Sequence, residues 1–191
     1  VFKNPISNIT DIKNLNHFDP ESLDYVYKAV NNIKSSLTEE IPLIGFCGSP
    51  WTLAAYSIEG RSSKDFEKTL GFLESNQKDV HDLLTKYTDA CFLYLRKQVR
   101  SGADVIQIFD SWANLLTKED LIEFSFNYIN SLISALNLDP ITKNIPVIIF
   151  ARNPKCNIEE LINTSADCIS LFWSMNDLNF EVAKNKVAIQ G

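Results

Sequence analysis

The sequence predicts an α/β fold built on a parallel sheet, and two features carry this prediction. Five short runs are mostly apolar and do not alternate regularly with polar residues, which is typical of strands buried on both faces. Segments with helical spacing separate these runs, so strands and helices alternate. The repetition leaves two architectures, an open doubly wound sheet or a (β/α)8 barrel, and no G-x-G-x-x-G follows the first strand. The predicted strands are Ile41–Phe46, Ala103–Phe109, Ile145–Phe150, Cys168–Leu171 and Val187–Gln190.

The predicted helices have recognisable start signals. Ser49 followed by Pro50 is typical of an N-cap and a first helical position. Ser63 is a candidate cap for the second helix, and Thr117 with Asp120 resembles a capping box. The long third helix is predicted from apolar residues at helical spacing. The predicted helices are Trp51–Glu59, Lys64–Leu73, Asn76–Arg100, Thr117–Leu136, Ile158–Asn163 and Asp177–Lys184.

Composition excludes several classes of protein. The chain has 191 residues, of which 45% are hydrophobic and 22% charged, which is ordinary globular usage and excludes disorder. No apolar run approaches a membrane span, and a net charge of −6 argues against nucleic acid as a partner. Four separated cysteines predict free thiols in a reducing compartment, and two histidines make a His-rich zinc site improbable. We therefore expect a cytoplasmic protein.

The end of the sequence predicts an incomplete domain. The last predicted strand stops at Gln190-Gly191 with nothing after it to cover its apolar residues. We expect residues 1–191 to form part of one domain, with further βα units before and after them.

The loop after the first predicted strand contains candidate binding groups. Gly48 would let a ligand approach the backbone closely, and the free amides of the following helix start suit an anion. Tyr56 is close enough to that start to direct its hydroxyl to the same place. The alternative interpretation is that Phe46, Trp51 and Tyr56 are aromatic residues of the core.

The loop after the second predicted strand offers an Asp-Ser pair, Asp110 and Ser111. Barrel enzymes carry working side chains at this end of their strands, but a strand-end turn with Trp112 packed outward is an equal alternative. Ser111 is unsupported as a hydrolase nucleophile because no G-x-S-x-G surrounds it. An acid–base pair of Glu59 and Asp110 is a weaker hypothesis.

Two cations and one thiol complete the candidates from the residues themselves. Arg152 and Lys155 follow the third predicted strand and either meet an anionic substrate or are solvated loop charges. Cys47, in the first loop, is the only cysteine with a position that suggests reactivity. At this point the sequence indicates a parallel α/β protein whose strand-end loops face an anionic small molecule.

Both loops resemble motifs of the uroporphyrinogen decarboxylase family. Residues 45–60 read G-F-C-G-S-P-W-T-L-A-A-Y-S-I-E-G, which is similar to the family's G-F-x-G-x-P-[WF]-T-L-x-x-Y-x-x-E-G. Residues 102–114 are similar to its second motif, G-A-x-x-x-Q-x-F-D-S-W-A-G. Further similarity at Pro146–Ala151 and Val187–Gly191 follows in the same order, so the resemblance extends over essentially the whole chain.

The resemblance implies a (β/α)8 barrel, a homodimer in the full-length enzyme, and no metal or organic cofactor. It also implies conversion of the four acetate side chains of uroporphyrinogen III to methyl groups, which gives coproporphyrinogen III in haem biosynthesis. In the family, an aspartate holds the pyrrole N–H groups and stabilises the cationic intermediate. That aspartate and the N-terminal arginine motif precede the position of Val1, so no catalytic residue is assigned within this chain.

The resemblance assigns substrate-binding positions to five residues. Tyr56 and Ser111 match a tyrosine and a serine that hydrogen-bond the substrate, and Phe46, Gly48 and Phe109 match positions that line the cavity. None of them is a metal ligand.

Two departures from the motifs bear on activity. Asn114 replaces the glycine after S-W-A, and Phe172 stands where the family commonly has an aspartate. Two alternatives remain open from the sequence: a related zinc-dependent methyltransferase that uses corrinoid or thiol chemistry, and an inactive relic.

Overall fold

The computed structural model describes residues 3–173 and 180–191, and its centre is a five-stranded parallel sheet. Each strand pairs with the next one along the chain, so the spatial order is the sequence order β1-β2-β3-β4-β5. A doubly wound sheet reverses its strand order at a switch point, and this sheet does not, so the barrel-type alternative is favoured. The strands are β1 (Ile44–Gly48), β2 (Val105–Asp110), β3 (Val147–Ala151), β4 (Cys168–Ser170) and β5 (Ala188–Gln190).

Helices alternate with these strands, as the sequence predicts. A short 3₁₀ turn, Pro20–Leu23, leads into the second helix, and a π-helical segment, Leu121–Phe126, joins the sixth helix to the seventh. Further 3₁₀ turns are Ala113–Leu115 and Phe180–Val182. The helices are α1 (Ile9–Lys13), α2 (Asp24–Ser36), α3 (Pro50–Glu59), α4 (Glu67–Ser75), α5 (Gln77–Arg100), α6 (Lys118–Asp120), α7 (Asn127–Leu138) and α8 (Ile158–Ile162).

The core lies between one face of the sheet and the helices. Ile106 and Ile108 of β2 and Ile169 of β4 are fully buried on this face, and helices α3, α5 and α7 pack around it. Burial alternates along β1 and β3, and Phe46, on the opposite face, is 58% exposed. The sheet therefore has a closed helical face and a more open face on which its strand-end aromatic residues lie.

Two predicted boundaries are wrong for identifiable reasons. The first strand begins at Ile44 instead of Ile41, because Pro42 has no N–H and the N–H of Leu43 donates to the Asp104 carboxylate at 2.7 Å. The fourth helix begins at Glu67 instead of Lys64, because Phe66 just before it has left-handed backbone (φ 51°). Ser63 therefore does not cap that helix.

Other predicted elements agree within a few residues, with two additions. The helices α1 and α2 were not predicted. The predicted helix over Thr117–Leu136 contains the π-helical segment. Of the predicted helix Asp177–Lys184, residues 177–179 lie outside the described residues. The remainder is not α-helical: it consists of the 3₁₀ turn Phe180–Val182 and a turn that follows it. No helix in the described ranges is long and apolar enough to cross a membrane.

Asp104 joins three elements at the amino-terminal end of the sheet. Its Oδ2 accepts from the N–H of Leu43 at 2.7 Å and from Nζ of Lys34 in α2 at 2.6 Å. The Leu43 N–H and the Lys34 ammonium hold the pKa of this carboxyl below its usual range.

We predict that Asp104→Asn lowers the free energy of unfolding by about 1 kcal/mol at pH 7, because the pair is partly exposed and solvent screens it. A carboxyl with a depressed folded-state pKa contributes stability above its unfolded pKa of about 3.9 and loses it as the pH falls through the folded value. Urea unfolding over a pH series should therefore show the difference from wild type vanishing in acid. Asp89→Asn, at an exposed position of α5, is the matched control. A difference that persists unchanged in acid would contradict this account.

Candidate functional site

A buried carboxylate, Asp110, organises the carboxyl ends of the first two strands. It ends β2 and is 1% exposed. Its Oδ1 accepts from the hydroxyls of Ser49 at 2.8 Å and Thr52 at 3.1 Å, and its Oδ2 accepts from Ser125 at 2.6 Å. Burial raises the pKa of Asp110, and the three hydroxyl donors oppose that effect. The three donors belong to the loop after β1, helix α3 and the π-helical segment, so this carboxylate ties all of them to β2.

Ser49 has a second task at the same point. Its Oγ accepts from the N–H of Thr52 at 3.0 Å and so caps α3, with Pro50 at the first helical position as predicted. The hydroxyl hydrogen remains free to donate to Asp110. Negative charge near a helix N-terminus is stabilised by the aligned peptide dipoles, so Asp110 also benefits from the start of α3.

Trp112 is the centre of an aromatic cluster directly after β2. Its ring centroid lies 5.8 Å from the ring centroid of Tyr56 and 4.3 Å from that of Phe66. Its backbone carbonyl accepts a hydrogen bond from Nε1 of Trp51 at 3.0 Å. The guanidinium Cζ of Arg152 lies 5.6 Å from the Trp112 ring centroid. The turn interpretation, in which Trp112 packs outward, is therefore wrong, because the ring packs against Tyr56 and Phe66. The buried Nε1 of Trp112 has no hydrogen-bond partner among the described residues.

Tyr56 and Ser111, the two predicted hydrogen-bonding residues, lie at this same end of the sheet. Tyr56 contacts Trp112 edge-to-face, and Ser111 precedes Trp112 in the chain. Both side chains are half-buried. Neither hydroxyl makes a hydrogen bond to another residue in the described part of the chain. Both hydroxyls are therefore available as donors. The ring contacts of Tyr56 with Phe66 and Trp112 agree with the core-aromatic interpretation of its ring.

Aromatic rings follow one another across the strand ends on the open face. Phe46 contacts Phe109 edge-to-face at 5.8 Å, and Phe109 lies 5.8 Å from Phe150. Phe150 lies 6.3 Å from Phe172, which contacts Trp173 at 5.7 Å. Phe172, where the resemblance expects an aspartate, thus extends an aromatic row of five rings.

A separate apolar cavity of about 360 Å³ lies beside β1. Two predicted residues, Phe46 and Gly48, line it together with Cys47 and Cys91, whereas Tyr56, Ser111 and Phe109 do not. A Cβ at Gly48 would lie 3.3 Å from the Leu53 side chain, so part of the need for glycine comes from the protein's own packing. The predicted set is therefore divided. Phe46 and Gly48 line this cavity, Tyr56 and Ser111 lie at the Trp112 cluster, and Phe109 lies in the aromatic row next to Phe46.

The remaining candidates have ordinary structural surroundings. A hydrogen bond with the neighbouring Cys91 thiol, together with burial, raises the pKa of Cys47, which disfavours the reactive thiolate. Glu59 accepts from the N–H and hydroxyl of Thr69, both at 3.2 Å, so it and Asp110 belong to separate hydrogen-bond sets. The buried Oδ1 of Asn114 has no hydrogen-bond partner among the described residues.

Sequence reasoning missed Ser125 and the organising role of Asp110. A hydroxyl in an otherwise ordinary amphipathic helix gives no local signal, and its importance depends on the π-helical turn that directs it toward β2. All four cysteines are free, as predicted. Over residues 3–173 and 180–191, no group of three or more His, Cys, Asp or Glu side chains could hold a metal ion.

Comparisons with known proteins give one consistent result. The family model described as "Uroporphyrinogen decarboxylase (URO-D)" matches residues 1–191. Proteins named uroporphyrinogen decarboxylase from Wigglesworthia glossinidia brevipalpis and Acinetobacter baylyi are each 42% identical over the whole chain, which covers 53% and 54% of those proteins. One from Pseudoalteromonas atlantica is 39% identical, with 54% of it covered. The chain thus spans about half the length of the curated relatives it matches, and their names do not favour the methyltransferase alternative.

We predict that Asp110→Ala lowers the free energy of unfolding by about 3 kcal/mol, because it leaves three buried hydroxyls without their acceptor. Asp110→Asn should cost less, since its carbonyl oxygen still accepts from Ser49 and Thr52. Urea or thermal unfolding measures both. Ser125→Ala, which removes one of the three donors, should also lower the free energy of unfolding. Its matched control is Ser131→Ala, which removes an exposed hydroxyl from α7. Equal stability of Asp110→Ala and wild type would refute the organising role of Asp110.

Proposed function

This chain belongs to the uroporphyrinogen decarboxylase family, and from that premise we propose that the protein carrying it decarboxylates the four acetate side chains of uroporphyrinogen III to give coproporphyrinogen III. At each acetate, the bond from the methylene carbon to the carboxylate breaks, CO2 leaves, and a proton takes its place to form a methyl group. Protonation of the electron-rich pyrrole supplies the electron sink for this step, so the chemistry requires no added metal or organic cofactor.

The observation that carries this proposal is the pair of uncommitted hydroxyls at the strand ends. Tyr56 and Ser111 have hydroxyl hydrogens without an acceptor among the described residues, and both lie beside Trp112. Hydroxyls donate well to carboxylates, and such charge-assisted bonds are the stronger kind. In the proposed complex they hold substrate carboxylates and take no part in acid–base chemistry.

The row of aromatic rings suits the apolar part of the same substrate. Phe46, more than half exposed, and Phe109 would form one wall for the macrocycle, and Gly48 keeps the backbone beside them free of a side chain. An aromatic surface excludes water, and each polar contact is stronger where water is excluded. Substrate carboxylates would therefore be fixed by donors at the edge while the ring system lies on an apolar surface.

The proposal also includes the domain organisation, the oligomeric state, the cellular location and the partner molecule of the complete protein. Residues 1–191 form part of a single barrel domain, and the complete enzyme is a homodimer in the cytoplasm. Its partner molecule is uroporphyrinogen, and a net charge of −6 supports neither nucleic acid nor an anionic membrane surface as a partner. The family's catalytic aspartate is expected outside this chain.

The test of the proposal is an anaerobic assay of the complete protein with uroporphyrinogen. Chromatography should show products with seven, six, five and then four carboxylates, without added metal or cofactor. A folded protein that yields no product would overturn the proposal and revive the relic alternative.

We predict that Tyr56→Phe lowers kcat/KM by about tenfold, equivalent to about 1–2 kcal/mol, because a hydrogen bond to a charged group is lost. Ser111→Ala should have a similar but smaller effect. Tyr25→Phe removes the same atom from an exposed tyrosine of α2 and should leave the kinetics unchanged. If Tyr56→Phe behaves like Tyr25→Phe, Tyr56 does not bind the substrate.

A further inference from the structure

We propose that Arg152, held over the ring of Trp112, is a carboxylate-binding residue that helps to select a polycarboxylated substrate. This inference rests on the proposed function, since the substrate class comes from it. The site residues that the resemblance identifies do not include Arg152, and the sequence left open whether it is only a solvated loop charge.

The backbone places Arg152 beside Ser111. Strands β2 and β3 are paired in register up to Asp110 and Ala151, and the N–H of Arg152 then donates to the Asp110 carbonyl at 3.0 Å. The residue that follows β2 is Ser111, and the residue that follows β3 is Arg152. Arg152 is therefore the first residue after β3, and its backbone is still hydrogen-bonded to β2.

Among the described residues, the side chain of Arg152 has an aromatic neighbour and no acidic partner. Its Cζ lies 5.6 Å from the Trp112 ring centroid, within the range of a cation–π interaction. It makes no salt bridge with a carboxylate of the described residues. The nearest acid along the paired strands, Asp110, is buried and already accepts three hydroxyl hydrogen bonds. The positive charge of Arg152 is thus left for an external anion.

The geometry of a guanidinium explains why this placement favours a carboxylate. A guanidinium over an aromatic ring keeps N–H groups at its edge, and their planar fork matches the two oxygens of a carboxylate. Trp112 also contacts the ring of Tyr56 and follows Ser111 in the chain, so Arg152, Tyr56 and Ser111 are all neighbours of Trp112. Together the three side chains offer donors to more than one carboxylate of the same molecule.

The chain offers a matched control for the charge. Lys155 lies three residues further along the same exposed loop, and neither a ring contact nor a salt bridge is present for it among the described residues. Replacing either residue with glutamine removes one positive charge from this loop. If overall charge attracts the substrate, the two variants will bind equally. If Arg152 binds a carboxylate directly, they will differ.

The experiment measures the dissociation constant of uroporphyrin III, the stable oxidised macrocycle with eight carboxylates, for the complete protein by quenching of tryptophan fluorescence. Arg152→Gln should weaken binding about tenfold, the range of one charge-assisted hydrogen bond, while Lys155→Gln changes it less than twofold. Arg152→Lys should fall between them, because lysine keeps the charge but lacks the planar fork. Unchanged thermal unfolding of each variant excludes a folding defect.

Coproporphyrin III, which lacks the acetates but keeps the four propionates, separates the two sources of carboxylate. If the loss caused by Arg152→Gln disappears with this ligand, Arg152 binds an acetate. If the loss persists, it binds a propionate. Equal dissociation constants for Arg152→Gln and Lys155→Gln with uroporphyrin III would overturn the inference.

The outcome for Arg152 is distinguishable from the outcome for the proposed function. In the anaerobic assay, a wild-type protein that forms product while Arg152→Gln keeps its KM would leave the decarboxylase proposal intact and refute the inference. A raised KM with an unchanged kcat would support a binding role. A wild-type protein without turnover would refute the decarboxylase proposal, and the dissociation constants would still decide the role of Arg152.

Discussion

The hydrogen-bonded carboxylate of Asp110 is the interaction on which the arrangement of the site depends. A buried charge is costly unless donors satisfy it, and here three hydroxyls from three elements do so. That requirement fixes the start of α3, the helix to which Tyr56 belongs, against the end of β2, which Ser111 follows. Neither loop can move far without leaving a buried carboxylate or hydroxyl unsatisfied, so these hydrogen bonds hold the candidate site residues in fixed positions.

The alternation of a strand explains how adjacent residues serve fold and site separately. Successive side chains of β2 point to opposite faces, so Asp110 faces the helices while Phe109 contacts the aromatic row of the open face. Ser111 and Trp112 lie in the loop after Asp110, the last paired residue of β2, so the alternation of the strand does not determine their directions. Trp112 then joins Tyr56 and Phe66 to the end of the sheet and provides a ring for Arg152. Three successive residues thus have different roles: Phe109 joins the aromatic row, Asp110 accepts the buried hydrogen bonds, and Ser111 has an uncommitted hydroxyl.

Local signals were sufficient to predict the parallel sheet, most helices and the Ser49 cap, because strand burial, periodicity and capping depend on nearby residues. The sequential strand order that distinguishes a barrel from a doubly wound sheet needed the structure or the resemblance. The left-handed backbone at Phe66 and the π-helical turn carrying Ser125 were not predictable, since both are maintained by contacts with residues far away in the sequence. The motifs indicated the candidate site residues, but not that Phe46 and Gly48 border a cavity separate from Tyr56 and Ser111.

We propose that the substrate lies at the strand-end edge formed by Tyr56, Ser111 and the aromatic row. The most direct test is a crystal structure of the complete protein with a bound coproporphyrinogen or uroporphyrin. The account predicts a macrocycle against Phe46 and Phe109, with carboxylates within hydrogen-bond distance of the Tyr56 and Ser111 hydroxyls. A macrocycle bound elsewhere, or one at this edge that leaves both hydroxyls uncontacted, would contradict it.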